Sequence, residues 1–80
     1  MPVITVQYFA ILREQRGVSE ERLTTSAPTA ELLYEELCSN YGFTLPINRI
    51  RWAINGEFAR SGVALKEGDR VVFIPPVAGG

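Results

Sequence analysis

The chain has 80 residues, 46% of them apolar, with eight Lys or Arg against nine Asp or Glu and a net charge of −1. A chain of that length makes one domain and buries only roughly 60–65% of the surface it exposes when unfolded, which leaves little room for a deep substrate cavity beside the core. The near-neutral balance excludes a basic footprint for nucleic acid or anionic lipid, and the lack of any histidine excludes histidine-based acid–base or triad chemistry.

Cys38 is the single cysteine, so no disulfide can form within the chain and a zinc site would lack its usual ligands. No apolar run is long enough to span a bilayer. Met1-Pro2-Val3-Ile4-Thr5-Val6 enters a strand-like pattern without a basic segment or cleavage site. The expectation is a cytoplasmic protein with no nucleic-acid and no membrane partner. Arg49, Arg51, Arg60, Lys66 and Arg70 form the nearest thing to a basic cluster, but acids interleave with them and a solvated surface is expected.

Val3 to Phe9 is rich in β-branched and aromatic residues, with Ile4, Val6 and Tyr8 on one side and Thr5 and Gln7 on the other, as in a half-buried strand. Ala10 to Gln15 holds good helix formers and Gly17 follows as a stop, so a short helix is expected. Glu20 to Thr25 predicts a modest second strand anchored by Leu23.

The clearest element starts at Thr29. Ala30, Leu33, Tyr34, Leu37, Cys38 and Tyr41 recur on one helical face, Thr29 suits the N-cap, and Gly42 supplies the left-handed stop. This helix must press its stripe on a sheet, since nothing else in the chain is large enough to cover it. Arg51 to Ile54, Asn55-Gly56 and Glu57 to Arg60 predict a hairpin about a type I′ turn. Lys66 to Asp69 is a second turn, and Arg70 to Ile74 is a nearly continuous apolar strand, expected at the centre of the sheet. The order predicts an α+β fold of β-grasp type, with a mixed sheet of about five strands, one long helix and one short helix. Residues 1–74 form the domain and 75–80 an extended tail.

The tail reads Pro75-Pro76-Val77-Ala78-Gly79-Gly80. Two prolines cannot donate to a sheet ladder and favour an extended path, so they end the central strand and aim the remainder away from the body. Six residues at about 3.3 Å each reach on the order of 20 Å. The tail is thin: small apolar residues, then two with no side chain. A terminal carboxylate passed between enzyme pockets has to thread narrow channels, and glycine removes the side chains that would collide there. A carboxylate is a poor electrophile, but transfer of AMP onto it creates a good leaving group, which a sulfur nucleophile displaces to leave a thiocarboxylate. The chain has neither G-x-x-x-x-G-K-[ST] nor G-x-G-x-x-G, so the activating enzyme is expected to be another protein.

Tyr8-Phe9-Ala10-Ile11-Leu12-Arg13-Glu14, Leu65 to Ile74 and the Pro75-to-Gly80 end together resemble the small subunits of molybdopterin synthase, the MoaD-like sulfur carriers of ubiquitin-like fold. The resemblance covers nearly the whole length, including the helix from Thr29 and Asn55-Gly56. It implies a sulfur-donor subunit that is not an enzyme on its own and binds no cofactor. Its terminal glycine, Gly80 here, is adenylated by a ubiquitin-activating-like adenylyltransferase that consumes ATP, and is then converted to a thiocarboxylate. The tail, Pro75, Pro76, Val77, Ala78 and Gly79, inserts into the large subunit and delivers sulfur to cyclic pyranopterin monophosphate for the molybdenum cofactor, in a heterotetramer. The residues leave open a carrier for another sulfur-transfer pathway, or a covalent modifier that attaches Gly80 to lysines.

Cys38, on the apolar helix face, is expected to be a small buried hydrophobe rather than the sulfur carrier. Trp52 is expected to pack in the core or hairpin. A tail alone gives a partner little contact area, so an apolar docking patch is expected near its root, drawn from Phe58, Phe73 and Ile74. Glu14, Glu57 and Asp69 are expected as solvated or turn acids.

Overall fold

A computed structural model describes residues 2–75. Strand β1 (Val3–Tyr8) leads into helix α1 (Ala10–Arg16), followed by β2 (Glu20–Thr24), helix α2 (Ala30–Tyr41), a 3-10 turn at Ile47–Arg49, β3 (Arg51–Ile54), β4 (Glu57–Phe58) and β5 (Arg70–Ile74). The five strands form one mixed sheet in the order β2-β1-β5-β3-β4. β1 and β5 run parallel, and the other pairs are antiparallel. One long helix laid on a mixed sheet is the β-grasp arrangement, and β5 stands at its centre as its apolar run predicts.

The local signals explain why these elements start and stop where they do. The Thr29 hydroxyl accepts from the Leu32 N–H at 3.4 Å, and Gly42, at φ 72°, closes α2 by donating its N–H to the Cys38 carbonyl at 2.9 Å. Asn55 and Gly56 take φ 54° and 87°, the two positive angles that a type I′ turn requires. Asp69 holds the second turn. One carboxylate oxygen accepts from the Lys66 N–H at 2.7 Å and the other from the Asn55 side-chain amide at 2.9 Å. The same carboxylate therefore ties both turns of one sheet end together.

The core lies between α2 and one face of the sheet. Ile4, Val6 and Tyr8 of β1 and Val71 and Phe73 of β5 meet Leu33, Tyr34 and Leu37 of α2, with Leu12 of α1 closing one end. Phe43, just past the helix, lies parallel to Tyr34 with ring centroids 5.9 Å apart and edge-on to Tyr8 at 5.7 Å. Tyr34 also donates its hydroxyl to the Leu45 carbonyl at 2.7 Å, which fastens the chain after α2 to the helix.

Three expectations change. Phe73 is a core residue with no exposed surface, so it cannot serve as a docking residue: it shares the inner face of β5 with Val71. Tyr41 leaves the buried stripe because α2 ends there, and its exposed ring lies under the Arg16 guanidinium, 3.9 Å from its centroid. The second hairpin strand stops at Phe58 rather than Arg60. Ala59 still donates its N–H to the Trp52 carbonyl at 3.1 Å, but the Gly62 N–H is then captured by the Glu31 carboxylate at 2.8 Å, turning the loop toward α2.

A polar clip absent from the sequence reading joins α1, β1 and β2. Glu21 accepts from the Tyr8 hydroxyl at 2.6 Å and from the Arg16 guanidinium at 2.7 and 2.9 Å. Arg16 beside it holds the Glu21 carboxyl below its ordinary value of 4.5, against the opposing effect of burial. Because the folded value is depressed, the clip's stabilisation is complete above the unfolded value and is lost as pH falls through the folded one. Glu21→Gln is expected to cost about 1.5–3 kcal/mol at neutral pH, and thermal unfolding followed between pH 6 and 3 should fall less steeply for it than for the parent. Phe73→Ala, by contrast, is expected to lose about 3–5 kcal/mol at any pH, which chemical denaturation would measure.

Candidate functional site

The site is organised by where β5 ends. Its register places Phe73 beside Tyr8, the last residue of β1, and Ile74 opposite Arg51, the first residue of β3. The chain therefore leaves the sheet from its centre, between two strands that hold it on both sides. Pro75, the first residue of the expected tail, is buried. Pro76, Val77, Ala78, Gly79 and Gly80, the proposed working end, lie outside the described residues.

One side of the tail root is walled by the turn into α1. Ala10 there takes φ 50°, a left-handed angle that costs a non-glycine residue roughly 1–2 kcal/mol. That bend leaves Phe9 and Ile11 exposed next to the last residue of β1. Neither was anticipated as a surface residue, although the run Tyr8 to Glu14 was legible as a motif.

The sheet face turned away from α2 carries the second component. Residues directly opposite one another share a face. Phe58 faces Ala53, Ala53 faces Val72, and Val72 faces Gln7. Ile74 lies in the next row opposite Arg51. Phe58 is 71% exposed, while Val72 and Ile74 are half-buried. The fold thus brings Phe58 and Ile74 onto one face and adds Val72, while it sends Phe73 to the other. Arg70 borders this face and is held there by Gln7 at 3.2 Å and by an ion pair with Glu20. Strand parity was the available signal: Val72 and Ile74 alternate with Val71 and Phe73.

Cys38 is half-buried on α2, and burial pushes its thiol pKa up. A raised value leaves little thiolate at neutral pH, which suits a packing role and not a nucleophile. Glu57 is exposed, and Asp69 is the buried turn acid described above. No helix of the described residues is long and apolar enough to cross a membrane.

Comparison with known proteins agrees with this architecture. The ThiS family matches residues 6–80. A molybdopterin synthase sulfur carrier subunit of Chlamydomonas reinhardtii is 37% identical, covering 96% of this chain and 98% of its own. That of Haemophilus influenzae is 33% identical, over 98% and 100%. Among solved structures, SAMP1 from Haloferax volcanii, a small archaeal modifier protein, superposes with a TM-score of 0.77 at 26% identity, covering 98% of this chain and 99% of its own. The Caldiarchaeum subterraneum ubiquitin, at 19% identity and a TM-score of 0.63 over 99% and 98% of the two chains, shares the fold. The family match runs from Val6, within β1, through the rest of the sheet to residue 80, and on that extent the chain belongs to the ThiS family, similar over nearly its whole length to molybdopterin synthase sulfur carrier subunits.

Proposed function

We propose that this chain is the sulfur-carrier small subunit of a molybdopterin synthase and that the Gly80 carboxylate is its working group. The observation that carries this reading is the whole-length similarity to carriers of that name, joined to a central strand that releases the tail from between β1 and β3. A ubiquitin-activating-like adenylyltransferase transfers AMP from ATP to the Gly80 carboxylate, releasing pyrophosphate. A sulfur nucleophile attacks the acyl carbon, and AMP leaves with the electron pair of the broken C–O bond. The resulting thiocarboxylate enters the large subunit in a cytoplasmic heterotetramer, with Pro75 at its root and Pro76, Val77, Ala78 and Gly79 as the threaded segment. There it donates sulfur to cyclic pyranopterin monophosphate. On this reading the body holds, aims and is recognised.

Recognition falls to the outer sheet face. Phe58, Val72 and Ile74 offer apolar area next to the tail root, which a tail of glycine and small residues lacks. Phe9 and Ile11 extend it around the other side of the root. A second reading, a covalent modifier joined through Gly80 to lysines of other proteins, is favoured by the similarity to SAMP1. Both readings share the adenylate and differ in the acceptor.

Incubation with the activating enzyme, ATP and a sulfur source should convert the intact chain to a species heavier by one oxygen-to-sulfur exchange, read by mass spectrometry. Ladders of lysine conjugates without that species would favour the modifier. A chain lengthened by a few residues past Gly80 should lose nearly all sulfur delivery while keeping its fold. Phe58→Ala should weaken binding of the large subunit about tenfold or more, the scale of one buried aromatic side chain. Its unfolding free energy should stay within about 0.5 kcal/mol of the parent; calorimetry of binding and of unfolding measures both.

A further inference from the structure

The sheet face turned away from α2 is charged as well as apolar. Strand register places Glu20 and Arg22 of β2, Arg70 of β5 and Arg51 of β3 on it, beside Val72, Ile74 and Phe58. Arg60 joins them. The Ala59 N–H donates to the Trp52 carbonyl and continues the β3–β4 pairing one step past its last ladder pair, so Arg60 follows opposite Arg51. Both arginines line one open hollow with Phe58. Among the residues so placed, these arginines face a single acid, Glu20, although the chain as a whole has a net charge of −1. Glu20 pairs with Arg70, and the other ion pair among the described residues uses Arg16. Arg22, Arg51 and Arg60 are exposed. Arg22 sits on the edge strand opposite Thr5, away from the tail root, whereas Arg51 lies opposite Ile74 and next to it. Like charges directly opposite one another on paired strands repel. The Arg51–Arg60 pair is therefore unfavourable in the free chain, and an acidic partner relieves it.

We propose that the Arg51–Arg60 pair selects an acidic patch on the surface of the protein that takes up the tail. The inference rests on the carrier reading above and adds to it the charge of the partner's surface and the way round that the partner sits. Burial of Phe58, Val72 and Ile74 supplies affinity with no preferred direction. Two cations at one end of that row supply the direction, since a partner docked the other way leaves both arginines covered and uncompensated. The neighbours of the pair favour a protein over other anions. Whatever covers Arg51 and Arg60 also covers Phe58 and Ile74, and a folded protein surface offers carboxylates and apolar contact together. A nucleic acid presents evenly spaced phosphates, which cations separated by an apolar row do not follow.

The 80-residue chain would be bound to the large subunit of the same organism, with affinity read by calorimetry at several ionic strengths. Arg51→Gln and Arg60→Gln should each weaken binding about threefold to tenfold, and the double variant should lose most of the salt dependence. Lys66→Gln, which removes an exposed cation on the turn before β5, should change neither. Because the two arginines repel in the free chain, the melting temperature of Arg60→Gln should hold or rise, whereas loss of a residue kept for the fold would lower it. A parent chain that does not bind the large subunit at all overturns the carrier reading and the inference built on it. A parent that binds, with both single variants binding as tightly and with the same salt dependence, overturns the inference alone. Arginine-dependent binding of equal strength to a short DNA duplex or to phosphatidylserine vesicles also overturns it, since the pair would then answer to any anionic surface.

Discussion

The parallel pairing of β5 with β1 is the contact on which the rest of the molecule depends. It joins the first and last strands of the chain, separated by some sixty residues of sequence, and so closes the longest loop in the fold. Closing so long a loop costs conformational entropy, and the return comes from burying Val71 and Phe73 against Val6 and Tyr8 beneath α2. The same pairing decides where the chain leaves the sheet. A strand held on both sides must emerge from the middle of an end and not from a fraying edge, so β5 leaves the sheet at a fixed point.

That constraint divides the residues of β5 cleanly between two tasks. Val71 and Phe73 face α2 and carry stability; Val72 and Ile74 face away and remain available to a partner. With one long helix across it and the short α1 closing an end, the sheet is packed on one face, and its other face is surface. An apolar outer row on such a surface has a cost in solubility. Arg70, tied to Glu20 and Gln7, borders the row on one flank and Arg51 on another, which limits its extent.

Most of the scaffold was legible in the sequence because its signals are local. Thr29 and Gly42 bound the long helix, Asn55-Gly56 makes the hairpin turn, and the alternation of Ile4, Val6 and Tyr8 gives the buried face of β1. What was not legible depended on pairing between distant segments. The run Arg70 to Ile74 is apolar at nearly every position, so parity separates Val72 and Ile74 from Val71 and Phe73 but does not say which set faces α2 until β1 and β3 fix the register; the docking role expected of Phe73 failed on that point. Phe43 and Ile50 enter the core from irregular segments with no period to reveal them. Glu21 sits in a polar strand of modest pattern, and only the β1–β2 pairing and the end of α1 bring Tyr8 and Arg16 to it.

The division of the sheet into a packed face and a bare one also bears on how relatives of different roles share one backbone. SAMP1 from Haloferax volcanii and the sulfur carrier subunits resemble this chain over its whole length at only 26–37% identity. Because side chains alternate strictly along a strand, a change at Val72, Ile74 or Phe58 alters what the surface presents without removing anything from the core. A change at Val71 or Phe73 does the reverse. The inner face is held to nearly constant volume by close packing against Leu33, Tyr34 and Leu37, whereas the outer face is constrained only by whatever binds it. The outer face can therefore drift while the exit of β5 stays where its pairing with β1 puts it. On the proposed reading, function in such a domain is separable by geometry: the packed face fixes where β5 leaves the sheet at Pro75, and the bare face is the one left to select a partner.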